Sequence, residues 1–432
     1  MVTVNYISVA FVAVYLAELA FFLWMERLNR RHLAEVGDNL PPCFEGVIDR
    51  DTLARTNAYT VTRSRLATAH KTVSDLILLA LILSGAVVGL DGFSAHLGPG
   101  DPWSGLVFFL ILAAIFWVLD LPWDYYSTFV VEERFGFNRS DLRTWLTDKA
   151  KGAAISAVLL AALLLPILWM VQTFPQYWWL FAFAVVSLVQ LALVVLYPIL
   201  IAPLFNTFVP LQDAALAEKV KALITSVGLR AEGVFQMDAG RRSGHSNAYF
   251  TGIGRTKRVV LFDTLLQSNT HEEILGVLAH ELGHYKLKHV AKSFFLSQAV
   301  MLVGLYLTYL VMNWNLFPET FGFDPARFPV SLFFIGVLGQ RVGFVLKPLF
   351  AGLSRRFETE ADVFAMRLQN NPGPLVAALK KIVAENLANL NPHPLYVWFN
   401  YSHPPVQERI HHLEVEAEGL PGLGKSHSGA YA

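Results

Sequence analysis

Residues 152–174 read GAAISAVLLAALLLPILWMVQTF, an apolar segment that contains no charged side chain. A helix rises about 1.5 Å per residue, so a segment of this length crosses the roughly 30 Å hydrocarbon core of a bilayer. Six further apolar segments of similar length follow the same pattern, at residues 6–25, 73–90, 104–122, 177–201, 293–313 and 329–350. Because backbone groups in lipid must bond within their own segment, we predict seven transmembrane helices.

The composition supports a membrane protein. Of 432 residues, 54% are hydrophobic and 16% are charged, whereas soluble domains carry about 25% charged residues. The formal net charge is zero and gives no support for nucleic-acid binding. The single cysteine, Cys43, excludes an intramolecular disulfide and a cysteine-rich zinc site. The first apolar segment is followed, not preceded, by basic residues, so we expect a retained helix and not a cleaved signal peptide.

The distribution of basic residues predicts an orientation. Arg27, Arg30 and Arg31 follow the first segment, and five Arg or Lys residues lie at 134–151 after the third. The loop after the second segment has no Arg or Lys. Basic loops stay on the cytosolic side, so we predict an external or luminal N-terminus and a cytosolic C-terminus. The long loop at residues 202–292 is then cytosolic.

That long loop has the pattern of a folded α+β unit. Residues 213–227 have helical apolar spacing and end before Gly228, and residues 233–237, 247–252 and 258–262 are predicted strands. Thr270 and Glu273 form the Thr-x-x-Glu pattern that begins a helix.

The predicted helix contains His-Glu-Leu-Gly-His at residues 280–284. Residues i and i+4 share a helix face, so His280 and His284 can bind one metal ion. Glu281 lies about 100° around the helix, where it can accept a proton from the attacking water. Two imidazoles favour zinc, although cobalt and manganese also accept such ligands.

A catalytic zinc site needs a third protein ligand. His289 is close in sequence, but Leu287 and Val290 do not fit the extended three-histidine pattern, so we expect His289 to support or surround the site. Glu358 is the better candidate, with Asp362 four residues later to orient a ligand histidine. Spacing alone leaves Glu360 as a rival ligand.

Two other clusters could contact a substrate. Residues 242–250, which include Asn247, Ala248 and Tyr249, form either a core strand or an edge strand to which a peptide could add. His403 and Arg409 lie near the C-terminal end, where either could stabilise an oxyanion, although His403 in its Pro-rich setting also fits a simple turn.

Taken in order, these motifs resemble the CAAX prenyl protease 1 family of membrane zinc endopeptidases over residues 127–410. The resemblance is carried by residues 129–133 (FVVEE), 136–138 (GFN), 203–206 (PLFN), 210–211 (PL), 245–250 (HSNAYF), 258–265 (RVVLFDTL), 280–284 (HELGH), 358–362 (ETEAD) and 403–405 (HPP). Residues 29–71 fit the family pattern poorly.

The resemblance implies a role for each matched residue. One zinc ion would be held by His280, His284 and Glu358, with Asp362 behind them and Glu281 as base and acid. Residues 247–249 would bind the substrate, and His403 and Arg409 would stabilise the transition state. Seven helices would surround an intramembrane chamber, in a bacterial inner membrane or the endoplasmic reticulum.

The predicted architecture is a mainly α membrane protein with a zincin-like α+β catalytic domain. Its expected units are residues 1–201 and 293–350 in the membrane, 202–292 and 351–417 in the catalytic domain, and a disordered tail at 418–432. We expect a monomer that acts on a peptide or prenylated protein at the lipid bilayer, without nucleic acid. A quality-control protease without prenyl preference is the alternative, and a transporter or an inactive scaffold are further ones.

Overall fold

The computed structural model describes residues 2–229, 233–251, 258–324 and 327–419. Helices dominate this part of the chain. They are α1 (Tyr6–Val36), α2 (Arg50–Leu83), α3 (Ala86–Leu97), α4 (Trp103–Tyr126), α5 (Leu142–Thr173), α6 (Trp178–Leu196), α7 (Ala214–Ser226), α8 (Asp263–Ser268), α9 (His271–Lys286), α10 (His289–Met312), α11 (Leu316–Phe321), α12 (Phe328–Gln369), α13 (Gly373–Glu385), α14 (Pro394–Asn400) and α15 (Val406–Glu418). The predicted tail lies mostly at residues 420–432, outside the described residues.

Within the described residues, seven helices are long and apolar enough to cross a membrane. They are α1, α2, α4, α5, α6, α10 and α12, and the number and order of the predicted segments are confirmed. Two of these helices end in π-helical turns, at Ser127–Glu132 after α4 and at Tyr197–Ile201 after α6. Pro198 lies in the second of these turns, where it removes a backbone donor.

The bounds of the second and seventh membrane helices differ from the prediction. The expected segment at 73–90 is broken at Gly85, whose φ of +76° is left-handed and ends the helical run between α2 and α3. Instead, α2 begins at Arg50, so residues 50–71, which were expected in a loop, are helical. α12 extends beyond residue 350 to Gln369 and carries Glu358 out of the predicted membrane segment.

Residues 208–262 contain a small mixed sheet that confirms the three predicted strands, within the residues that are described. Its strands are β1 (Phe208–Pro210), β2 (Gly233–Met237), β3 (Ala248–Thr251) and β4 (Arg258–Phe262), in the order β1-β2-β4-β3. β2 and β4 are parallel neighbours. At the two edges, β1 pairs antiparallel with β2 and β3 pairs antiparallel with β4. β1 was not predicted, because three residues give too short a pattern.

A hydrophobic core joins this sheet to α7 and α9. Every third or fourth residue of each helix points into it, as helical periodicity requires. The buried residues are Leu216, Val220 and Ile224 of α7, Val259 and Leu261 of β4, and Ile274, Leu278 and Leu282 of α9. This core fixes α9 against the sheet and leaves its opposite face free to meet α12.

Arg341 of α12 has a buried partner at membrane depth. Its Nη1 lies 2.7 Å from Oε2 of Glu18 on α1, and its guanidinium lies 4.1 Å from the ring centroid of Tyr15. A charge in lipid is costly unless it is paired, so the contact with Glu18 lowers the cost of placing Arg341 in a membrane-spanning helix. It also ties α12 to α1.

Candidate metal centre

The helix that carries the candidate ligands begins as the sequence predicts. The hydroxyl of Thr270 accepts a hydrogen bond from the backbone N–H of Glu273, and the carboxylate of Glu273 accepts one from the N–H of Thr270. Lys381 of α13 forms a 2.7 Å ion pair with the same carboxylate. The start of α9 is therefore fixed, and with it the direction in which its metal-binding face points.

Close packing between α9 and α12 brings the ligand residues together. A Cβ atom on Gly283 would lie 3.0 Å from Cα of Ala361, so the two backbones approach more closely than a larger residue would allow. The contact lies between His280 and His284 on one helix and between Glu358 and Asp362 on the other. The position between the two histidines of the motif is therefore constrained by packing.

His280, His284 and Glu358 form a compact group of donor atoms. The two Nε2 atoms are 3.2 Å apart, and Glu358 places Oε2 3.3 Å from His280 Nε2 and Oε1 3.2 Å from His284 Nε2. Ligands of a tetrahedral zinc ion lie roughly 3.3 to 3.6 Å apart, as follows from bond lengths of about 2.0–2.2 Å. Glu358 Oε2 is buried and accepts no hydrogen bond within the described residues. The donor set therefore fits one metal ion.

Behind His280 lies a buried charged pair, which we call the His280 arm. Asp362 Oδ1 is 2.7 Å from His280 Nδ1, and Arg409 donates from Nε and Nη2 to the two oxygens of Asp362 at 2.7 and 2.6 Å. Burial lowers the pKa of His280, but the carboxylates of Asp362 and Glu358 outweigh burial and raise the pKa to about 9. The same two carboxylates favour a positive charge at this position, whether a proton or a metal ion supplies it.

Behind His284 lies a different pair of residues, His289 and Glu360, which we call the His284 arm. His289 Nδ1 is 3.1 Å from His284 Nδ1, and His289 Nε2 is 3.1 Å from Oε2 of Glu360. The ring of His289 stacks on Phe357 with centroids 4.2 Å apart. His289 thus supports a candidate ligand, and Glu360 contacts His289 and Arg356 while Glu358 contacts the two ligand histidines.

Three polar residues surround the cluster without belonging to its donor set. Glu281 is half-buried and has no hydrogen-bond partner within the described residues, and burial raises its pKa above the ordinary value. His403 Nε2 lies 3.3 Å from Glu358 Oε1, and although 62% of its side chain is exposed, the surrounding protein lowers its pKa. Arg409 Nη1 is 3.9 Å from Glu358 Oε2, so its third donor group faces the cluster.

Residues 247–249 lie at an edge of the sheet. Within the described residues, β3 pairs with β4 on one side only, and it contacts α9. Of the two possibilities left open by the sequence, the edge strand is therefore the one observed. Ala248 is buried while Asn247 is exposed at the beginning of the strand.

A cavity of about 760 Å³ adjoins the cluster and contains residues that the motif analysis did not select. His245 and His403 line it, together with Tyr59 and Arg63 of α2 and Tyr396 of α14. His245 stacks on Phe137 of the GFN segment and places Nε2 3.5 Å from Glu132. The α2 residues were missed because they lie outside every recognised motif.

Comparison with known proteins agrees with this architecture. Residues 29–207 match the family described as CAAX prenyl protease N-terminal, five membrane helices, so the expectation that residues 29–71 fit the family pattern poorly is wrong. Residues 210–417 match Peptidase family M48. The CAAX prenyl protease 1 homolog of Arabidopsis thaliana is 36% identical, over 92% of this chain and 96% of that protein. CAAX prenyl protease 1 of Saccharomyces cerevisiae is 31% identical, over 93% of this chain and 94% of that protein.

A solved structure extends the likeness to three dimensions. The crystal structure of S. mikatae Ste24p superimposes with a TM-score of 0.87 at 28% identity, covering 96% of this chain and all of that one. The expected family and the seven-helix membrane fold with a small catalytic sheet are thereby confirmed. The chain belongs to the CAAX prenyl protease 1 family of integral-membrane metalloendopeptidases.

Proposed function

We propose that this protein is a zinc-dependent endopeptidase that cleaves peptide bonds near the C-terminus of prenylated proteins. The observation that carries this proposal is the group formed by His280, His284 and Glu358, with all three donor atoms within 4.8 Å of one another. The names of the relatives supply the substrate class, because they are CAAX prenyl proteases. An active site joined to membrane helices suits a substrate that carries a lipid.

One zinc ion per chain would be held by His280, His284 and Glu358. Two imidazoles and one carboxylate are a common donor set of catalytic zinc sites, in which a fourth position stays open. The bound ion would supply Lewis acidity, which polarises the substrate carbonyl and makes water acidic enough to attack at neutral pH. Asp362 and His289 would hold the two histidine rings in place.

The remaining residues would manage protons and charge. Glu281 follows His280 on α9 and has a raised pKa, so it can take a proton from the attacking water and return it to the leaving amine. The exposed ring of His403 and the Nη1 group of Arg409 face the cluster and would stabilise negative charge on the carbonyl oxygen.

The free edge of β3 would bind the peptide backbone. An extended peptide can add to such an edge through main-chain hydrogen bonds, and residues 247–249 lie beside the helix that carries the ligands. This position would place the bond to be cleaved next to His280 and Glu281.

We further propose a cytosolic active site and an external or luminal N-terminus, in a bacterial inner membrane or the endoplasmic reticulum, and a monomer. Cys43 gives a direct test, because it is the only cysteine and lies between α1 and α2. In sealed vesicles with native orientation, an impermeant maleimide should label Cys43 only after the membrane is opened. A Pro99→Cys, Cys43→Ser variant should show the opposite behaviour, and labelling in the reverse order would contradict this orientation.

The substrate class is tested with two peptides that end in a CAAX sequence, one farnesylated and one unprenylated. The detergent-purified protein should cleave the farnesylated peptide with clear preference. Glu281→Ala serves as the blank. Equal cleavage of both peptides would retain the peptidase but favour a quality-control protease, whereas full activity of Glu281→Ala would overturn the catalytic assignment.

A further inference from the structure

The cavity beside the metal cluster extends away from it toward α2. His403 lies at the end near the cluster, and Tyr59 and Arg63 line the wall formed by α2. His245 lies on the Tyr59 side, because its Nε2 is 3.5 Å from Glu132, which accepts a hydrogen bond from the Tyr59 hydroxyl. Its volume is about 760 Å³. The same cavity is therefore lined both by His403, whose Nε2 lies 3.3 Å from Glu358 Oε1, and by Arg63.

Arg63 is the one Arg or Lys side chain among the described residues that line this cavity. Its Nη1 donates a single hydrogen bond, to the hydroxyl of Tyr59 at 3.3 Å, and its guanidinium lies over the Tyr59 ring at 5.4 Å. No carboxylate forms an ion pair with it in the described part of the chain. Most of its donor groups are thus available to an anion that enters the cavity.

The one carboxylate in the same wall, that of Glu26, already has partners. It accepts hydrogen bonds from the hydroxyls of Ser64 and Tyr396, and Nη1 of Arg30 lies 4.0 Å from its Oε2. These contacts offset the charge of Glu26. Glu132, which does not line the cavity, accepts a hydrogen bond from the Tyr59 hydroxyl at 2.8 Å and a contact from His245. Arg63 therefore remains the group best suited to bind a negative charge at this end of the cavity.

The direction of β3 says which end of a bound peptide would reach the cavity. β3 runs from Ala248 to Thr251, and His245 lies just before its beginning. A peptide that adds to the free edge in antiparallel fashion runs the opposite way, so its C-terminal end points toward His245. Three extended residues span about 10 Å, which brings a C-terminal carboxylate into the cavity beyond the metal cluster.

We propose that Arg63 binds the free C-terminal carboxylate of the substrate and so selects bonds a few residues from a chain end. This inference rests on the proposed endopeptidase function and on its C-terminal substrate class. The planar guanidinium pairs with both oxygens of a carboxylate, which an amide cannot reproduce. Arg63 is then a specificity residue for the part of the substrate that leaves as product.

The test compares one farnesylated peptide with a free C-terminal acid and the same peptide with a C-terminal amide. The ratio of kcat/KM values, acid over amide, is measured within each protein, so that a partly unfolded fraction cancels. A charge-assisted contact predicts a ratio of roughly tenfold to a hundredfold for the wild type, expressed mainly in KM. Arg63→Gln should bring the ratio close to 1, and Arg63→Lys should retain part of it.

Arg65→Gln is the matched control, because Arg65 lies on the same helix but does not line the cavity. It should keep the wild-type ratio. A wild-type ratio near 1, or an Arg63→Gln ratio equal to that of the wild type, overturns the inference and leaves the endopeptidase intact. Failure of the wild type to cleave either peptide would overturn the proposed function, and this inference with it.

Discussion

The two histidines of the candidate metal site are held by unlike surroundings. His280 contacts Asp362, which is 1% exposed and paired with buried Arg409. His284 contacts His289, whose far nitrogen meets Glu360, a carboxylate that is 33% exposed. The His280 arm is a buried charged network, whereas the His284 arm leads to the surface within two residues.

This difference predicts that substitutions in the two arms have unequal effects on stability and on metal affinity. Removing one member of a buried ion pair leaves its partner without compensation, and the cost is large. When a half-exposed carboxylate such as that of Glu360 is removed, water takes over its contacts at little cost. We therefore expect the His280 arm to control both stability and metal affinity, and the His284 arm to adjust affinity alone.

Metal removal should have the largest effect, because the residues of both arms support the same candidate metal site. A chelator should abolish peptidase activity and lower the melting temperature, since an ion at a hundred times its Kd stabilises the fold by about 2.7 kcal/mol. Metal analysis, activity and thermal unfolding in detergent measure this. Stoichiometric zinc should restore activity, and full activity in the chelated protein would contradict a metal-dependent reaction.

Asp362→Ala should cause the next largest loss. It leaves the guanidinium of Arg409 buried without its partner, which should cost about 3–5 kcal/mol of unfolding free energy. Loss of the contact to His280 should also weaken metal binding about 10- to 100-fold. Glu416→Ala removes the exposed partner of Arg367 and serves as the control, with about 0.5 kcal/mol or less expected. Equal losses of unfolding free energy in Asp362→Ala and Glu416→Ala would contradict the expected difference between a buried and an exposed ion pair.

Gly283→Ala tests the helix contact on which both arms depend. The added Cβ would lie 3.0 Å from Cα of Ala361, so α9 and α12 must move apart at a cost of about 1–3 kcal/mol. Metal affinity should fall together with stability, because moving α9 away from α12 also moves the histidines away from Glu358. Gly336→Ala on α12, where an added Cβ meets nothing within 4 Å, should be tolerated. An unchanged affinity in Gly283→Ala would show that the contact does not set the ligand spacing.

His289→Phe should produce a smaller effect. Phenylalanine can keep the stacking on Phe357 but cannot contact His284 or Glu360 through nitrogen. Metal affinity should fall about tenfold, at the lower end of the usual range for such supporting residues. Metal titration of the variant beside Asp362→Ala compares the two arms directly. A loss as large as that of Asp362→Ala would remove the distinction between them.

Glu360→Gln should have the smallest effect of this series. Its contacts are with His289 and with the exposed Arg356, so less than a fivefold change in metal affinity is expected. Glu358→Gln is the matched comparison and should lose far more metal affinity than Glu360→Gln. The two carboxylates are two residues apart, and only Glu358 faces both histidines. Metal titration of both variants therefore decides between the two carboxylates that spacing left open.

The parts of the fold with strong local patterns were predictable. The apolar segments gave the seven helices, and the Thr270 and Glu273 pattern gave the beginning of α9. His280 and His284 are four residues apart on one helix, so their common face follows from helical geometry alone. These features depend on neighbours within one or two turns of helix.

The long-range features needed the tertiary structure. The unequal arms join α9 to α10, α12 and α15, and sequence spacing could not separate Glu358 from Glu360 or assign His289 to His284. The cavity wall at Arg63 comes from a helix that no motif marks, more than two hundred residues before His280 in the sequence.

The sequence by itself therefore determined that this is a seven-helix membrane protein in which one helix presents two histidines on the same face, because hydrophobic length and helical period are local properties. Only the tertiary structure decided which carboxylate meets both histidines, which group supports each ring and which cation faces the cavity. Those outcomes depend on how separate helices pack, at a precision set by contacts such as that of Gly283 with Ala361.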